Sequence, residues 1–131
     1  MPLPREMARS RAGLLAGIAG ASAVLFGAFG AHALRGALDA DHLGLWHTAV
    51  QYHFWHALAL AVAAWTGRGR AGRCAVIAFA LGIVLFSGSL YALALGAPRW
   101  TGIVTPFGGV VFIVGWIALG LALQRQGRDQ Q

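Results

Sequence analysis

The distribution of charge constrains this chain more than any single motif. Four runs, 12–31, 42–67, 74–98 and 100–124, contain no Asp, Glu, Lys or Arg. A hydrocarbon layer about 30 Å thick is crossed by about 20 apolar helical residues, and every run is at least that long. Charged residues make up 11% of the chain, against about 25% in soluble domains. These numbers exclude an ordinary water-soluble fold. They predict an all-α membrane protein, a single domain over 1–131. Its architecture is a four-transmembrane-helix bundle in up-down-up-down order, with spans at about 12–34, 43–65, 74–96 and 103–124.

The net charge of +6 comes from ten arginines and no lysine. Arg5, Arg9 and Arg11 precede the first span, Arg68, Arg70 and Arg73 lie between the second and third, and Arg125 and Arg128 follow the fourth. The two remaining loops hold Arg35 and Arg99, offset by Asp39 and Asp41. The positive-inside rule therefore predicts both termini in the cytoplasm. Arginines at helix ends point to the lipid bilayer as partner and away from nucleic acid. Cys74 is the single cysteine, so an internal disulfide and a cysteine metal cluster are excluded. The basic start, apolar run and Ala31-His32-Ala33 triplet imitate a signal peptide. The run is longer than the usual h-region of about 7–15 residues, so an uncleaved first span is expected.

Local signals fill in the spans. Pro2 and Pro4 discourage order in a short basic tail, 1–11, and 125–131 reads as a polar tail. Gly13 and Gly17, then Ala19, Ala23, Gly27 and Ala31, give the first span small-residue stripes that let backbones approach closely. Gly30, Gly88, Gly108 and Gly109 are expected to serve close packing too. The first span is thus expected at the centre of the bundle, with a homodimer face as the alternative use of its glycines. Asp39 or Asp41 is expected to cap the second span. Trp46 and Trp65 fit interface belts at its two ends. Residues 66–73, TGRGRAGR, read as a cytoplasmic turn. Thr105 is expected to cap the last helix with Pro106 as its first residue, after irregular backbone.

The second span carries YHFWHALAL at 52–60. At 100° per residue, His53 and His56 share a sector with Tyr52, Ala49, Ala57, Leu60, Ala63 and Ala64. Phe54, Trp55, Leu58, Val62 and Trp65 lie opposite. His47 and Gln51 fall elsewhere, nearer the outer interface. The histidines should face the bundle interior, with His53 about 16 Å below the outer end. Ser87 and Ser89 of the third span reach a similar depth.

An ionisable group inside the membrane raises the question of function. Two histidines fall short of the three or four ligands of a metal site, and no carboxylate orients a buried histidine for hydrolysis. A proton or solute pathway needs polar groups through the full depth, and the cytoplasmic half has few. Interhelical hydrogen bonding that fixes register is the favoured reading.

GAFGAHAL (27–34), YHFWHALAL (52–60), LFSGSLYALAL (85–95) and TPFGGVVFIVGW (105–116) together resemble the YgdD-like family of small bacterial inner-membrane proteins. A mitochondrion-associated eukaryotic branch is similar too. The resemblance spans about 12–123 and implies four spans and an inner-membrane location; it brings no catalytic residue. The expected polar cluster is His32, Tyr52, His53, His56, Ser87, Ser89, Tyr91 and Thr105, forming one outward-facing pocket or a packed network. No catalytic, cofactor or metal site is expected. The expected role is a non-enzymatic accessory or assembly protein, as a homo-oligomer or within a larger membrane complex. The alternative is a small-solute or proton transporter or channel; a metal- or haem-dependent enzyme is a weaker third.

Overall fold

The computed structural model describes residues 1, 4–67 and 69–130. Pro2, Arg68 and the side chain of Arg5, used above, lie outside the described residues. The described chain is helical with short connections. Helix α1 is Pro4–His32 and α2 is Ala40–Thr66. A third rod comprises α3, Gly69–Gly82, one π turn, Ile83–Ser87, and α4, Gly88–Ala94. A 3₁₀ turn, Arg99–Ile103, leads into α5, Val104–Asp129. Three segments are long and apolar enough to cross a membrane: Glu6–His32, Gly69–Ala94 and Arg99–Asp129. Helix α2 is comparable in length, but Gln51, His53 and His56 dilute its hydropathy.

The start of α1 and the end of α5 meet the last turn of α2. The Arg9 guanidinium donates to the Trp65 carbonyl at 3.2 Å and sits over the Trp65 ring, while the Gln126 amide donates to the Thr66 carbonyl. That gathers the start of α1 and the ends of α2 and α5 at one end of the bundle, as up-down-up-down order requires. The main core lies toward this end, where Leu60 and Ala63 of α2, Phe79 of α3, and Phe112 and Leu119 of α5 meet. A smaller cluster of Leu34, Trp46 and Ala94 closes the opposite end.

The expected helix ends need correction. Helix α1 starts at Pro4, not Ala12: proline suits the first helical turn, whose N–H groups lack intrahelical partners. Residues 69–73 belong to α3, and α5 continues through the expected polar tail to Asp129. Gly69 has φ +69°, a left-handed conformation open to glycine, and lets the chain reverse within a shorter turn than 66–73. Thr105 is not the cap of α5: the helix begins at Val104, Pro106 sits in its first turn, and the Thr105 hydroxyl bonds elsewhere. Asp39 does cap α2, accepting from the His42 N–H at 2.9 Å and meeting His42 Nδ1 at 2.8 Å. The backbone hydrogen bond from His42, more than its imidazole, holds the Asp39 carboxyl below its ordinary pKa. Its stabilising effect is therefore present above about pH 4 and lost as pH falls through the lowered value. Asp39→Ala should lower the melting temperature slightly at pH 7, and the gap from the wild type should close under acid. A gap that does not narrow at all as acid is added would refute this.

Helix α1 is peripheral, against the expectation that it packs centrally. It lies along α2 and barely reaches α3. A Cβ at Gly13 or Gly17 would meet nothing within 4 Å, so that expected stripe is not packed within the chain. Of the second stripe, Ala23 is buried, Ala19 packs against the main core and Gly27 meets Val50, while Ala31 is exposed. Glycine in a helix is about 0.5–1 kcal/mol less favourable than alanine. Gly17→Ala should therefore leave stability unchanged or raise it; a clear loss in the melting temperature of the monomer would show a hidden contact. Gly88 is equally unpacked, and Gly109 is in ordinary contact with the Phe86 ring. Gly27 meets Val50, Gly30 lies against the Trp46 ring, and Gly108 lies against the Phe86 backbone, so these three serve close packing. Gly82 against Phe112 and Gly115 against Phe79 do the same; their positions inside apolar runs gave no sign of it.

Trp46 is not an interface residue. It is buried, and its indole N–H donates to the Phe26 carbonyl at 2.8 Å. The missing side chain at Gly30, one turn beyond Phe26, makes room for the ring. Trp65 and Trp100 are exposed near helix ends, as a membrane interface favours.

Candidate functional site: a divided polar core

Helix α2 lies among the other rods, and its burial follows the projected faces. Ala49, His53, His56, Ala57, Leu60, Ala63 and Ala64 are buried, while Phe54, Trp55, Leu58, Val62 and Trp65 are exposed. His53 and His56 are 4% and 5% exposed. Three residues advance a helix by about 300°, so the rings diverge by some 60° and reach different neighbours.

His53 joins three helices. Its Nδ1 lies 3.0 Å from the Tyr91 hydroxyl of α4, and its Nε2 lies 3.2 Å from Ser22 Oγ of α1. Ser22 Oγ is also 3.1 Å from the Ala19 carbonyl. One assignment uses every hydrogen: Tyr91 donates to Nδ1, Nε2–H donates to Ser22, and Ser22 donates to the carbonyl. His53 is then the neutral Nε2–H tautomer. Around it Phe26 packs edge-on to His53 and Tyr91, and Trp46 rests 4.6 Å from Tyr91, centroid to centroid.

His56 takes the opposite tautomer. Its Nδ1–H donates to the Tyr52 carbonyl at 2.7 Å, and its Nε2 accepts from the Trp116 indole N–H of α5 at 3.2 Å. The ring stacks on Phe112 with centroids 3.5 Å apart and planes 9° apart. Phe79 and the Tyr52 ring complete an aromatic box. Nitrogen-15 NMR of the purified protein should report two neutral imidazoles of opposite tautomer, Nε2–H at His53 and Nδ1–H at His56. A shared tautomer would overturn the assignment.

A third group ties α4 to α5. Ser89 Oγ donates to the Phe86 carbonyl at 2.9 Å and accepts from the Thr105 hydroxyl at 2.6 Å. Ser87 is fully buried, and its hydroxyl has no partner among the described residues. The π turn before it matters here. Burial follows ordinary helical steps of three and four at Ala75, Ala78, Phe79 and Gly82, then passes from Ile83 to Ser87, a last step of four that would drift by about 40° on a regular α-helix. Within the π turn the Gly88 N–H reaches back to the Ile83 carbonyl, and the wider turn absorbs the drift.

The eight expected cluster residues therefore do not form one pocket. His53 and Tyr91 belong to one network, His56 and the Tyr52 carbonyl to a second, and Ser89 and Thr105 to a third. Ser87 stands apart, and His32 is exposed at the end of α1. Neither of the two clefts described touches either buried histidine. Among the described residues no three His, Cys, Asp or Glu side chains are grouped to hold a metal ion. Sequence reasoning missed Ser22 and Trp116 as partners. Both had a signal: Ser22 is the lone hydroxyl in an otherwise apolar run, and Trp116 lies well inside a span, away from the interfaces where tryptophan is enriched.

Comparison with known proteins identifies relatives of this chain. The family described as protein of unknown function, DUF423, matches residues 26–109. The chain is similar to the UPF0382 membrane protein YwdK of Bacillus subtilis, 48% identical over 105 residues, covering 76% of this chain and 85% of the relative. It is also similar to a UPF0382 membrane protein of Haemophilus influenzae, 41% identical with 80% and 86% covered. The UPF0382 inner membrane protein YgdD of Escherichia coli is 39% identical over 120 residues, with 87% and 92% covered. No solved structure matches the chain.

Proposed function

The chain belongs to the DUF423 family of membrane proteins, and from that premise we propose that it is a four-span protein of the bacterial inner membrane that works without catalysing a reaction, as an accessory or assembly component of a membrane complex. In this reading α2 is the fourth span. Its polar side chains at His53 and His56 are bonded inside the protein, and its outer face carries Phe54, Trp55, Leu58 and Val62. Both termini and the Arg70–Arg73 segment face the cytoplasm, following the excess of arginine at that end. Cysteine accessibility from the two sides of intact cells tests both points; a residue near Arg70 labelled from outside would refute the orientation.

One observation carries the non-transporting reading: all four ring nitrogens of His53 and His56 are engaged by protein groups. A pathway needs polar groups free to exchange partners along the membrane normal. The Tyr91–His53–Ser22 chain ends on the Ala19 carbonyl, and the His56 ring is closed in by Phe79, Phe112 and Tyr52. The outward face of α1, with Gly13 and Gly17 uncovered, suits contact with another membrane helix, either in a second copy or in a larger complex. Proteoliposomes carrying the purified protein should show no proton or small-solute flux above protein-free vesicles. A reproducible flux lost in folded Tyr91→Phe would replace this reading with the transporter.

A further inference from the structure

A groove of about 480 Å³ runs along the outside of the bundle between α3 and α5. Ile77 and Leu81 form one wall, and Val111 and Val114 the other; Arg70 and Arg73 stand at its end. Ala78 is the buried floor, pressed toward α5 by the absence of a side chain at Gly115. The groove is thus built by the close crossing of the two helices. From Arg70 to Leu81 are eleven residues, about 16 Å of helix, close to half of the roughly 30 Å hydrocarbon layer. Arg70 and Arg73 are three residues apart, so they share one helix face. Both are exposed, and no carboxylate pairs with either among the described residues.

We propose that this groove is a binding site for one anionic phospholipid, with an acyl chain against Ile77, Leu81, Val111 and Val114 and the phosphate between Arg70 and Arg73. Charge and shape both select this occupant. A second copy would bury the walls but brings to this end only Glu6 and Asp129 among more numerous arginines, a net positive surface, whereas a lipid supplies a chain of one leaflet's depth joined to an anion at the membrane surface. Guanidinium groups bind phosphate oxygens through paired N–H donors, and basic pockets between membrane helices hold anionic head groups in this way. The lipid would hold α3 to α5 along their outer line of contact. The site depends on neither the orientation nor the accessory role proposed above.

Native mass spectrometry of the full-length protein in detergent tests it, with phosphatidylglycerol and phosphatidylcholine of identical chains as probes. Phosphatidylglycerol should give a one-to-one adduct at least tenfold more abundant than phosphatidylcholine. Arg70→Gln with Arg73→Gln should bring the two lipids level. Ile77→Trp, which fills the groove from an exposed position and leaves both arginines, should reduce the phosphatidylglycerol adduct by a similar factor. Millimolar inorganic phosphate should not displace the lipid. Equal retention of both lipids in the wild type, an unchanged adduct in either variant, or displacement by phosphate alone would overturn the site. So would ready Cys74–Cys74 cross-linking of lipid-free protein, because Cys74 lines the groove and the bridge would place a second copy there.

Discussion

His56→Ala should lower unfolding stability in detergent by about 3 kcal/mol, the scale for emptying an aromatic-sized site in a packed core. The ring it removes is stacked on Phe112 and boxed by Phe79 and Tyr52. The hydrogen bond contributes less than the packing: interhelical bonds within membrane bundles average about 0.6 kcal/mol. His56→Phe separates the two. It keeps an aromatic ring in the box but strands the Trp116 N–H, while the Tyr52 carbonyl retains its own helical position as an acceptor. His56→Phe should therefore cost about 1–2 kcal/mol, less than the alanine variant. Combining it with Trp116→Phe should cost less than the sum of the single changes, since the second replacement removes the stranded donor. Strict additivity in that cycle, measured by equilibrium unfolding in mixed detergents, would mean that the bond from Trp116 to His56 contributes nothing and that His56 acts by shape alone.

Gly108→Ala should be comparably damaging although it adds one methyl group. The new Cβ would press on the N, Cα and Cβ atoms of Phe86, all nearer than ordinary contact allows. Backbone cannot swing aside as a side-chain tip can, so α5 must move away from the π turn. Overpacking of this kind costs about 1–3 kcal/mol. Thr105 lies one turn from Gly108, and its 2.6 Å bond to Ser89 should be lost with the displacement. Gly120→Ala is the control on the same helix: its Cβ would meet nothing within 4 Å, and its melting temperature should stay level or rise. Similar losses at both glycines would show that helix bending, and not the crossing at Phe86, controls the response.

These expected effects mark where residue identity stops being informative. The spacing of uncharged runs revealed the helical rods because it reports directly on the medium each segment can occupy. The inward face of α2 was legible for a related reason: alanines and histidines on one side and Phe54, Trp55, Leu58 and Val62 on the other form a pattern of period 3.6. Asp39 was legible as a cap because capping is local, reaching to His42 in the next turn. The glycines were not. Gly13 and Gly17 have the spacing of a packing motif and touch nothing, whereas Gly82 and Gly115 have no recognisable spacing and sit beneath Phe112 and Phe79. A missing side chain acts only through what arrives from another helix, and that partner is set by bundle geometry.

The division of the polar core has the same origin. By itself the sequence determined an all-helical membrane chain, an arginine-rich end and two histidines turned away from lipid, all consequences of local hydropathy, charge and periodicity. The tertiary structure decided the rest. It gave His53 to Ser22 and Tyr91, gave His56 to Trp116 and Phe112, moved α1 to the edge, and placed a π turn between the buried Ile83 and Ser87. Each of these depends on which side chain meets which across a helix crossing. Such contacts join residues 31 to 60 positions apart, a distance over which helical periodicity carries no information about the partner.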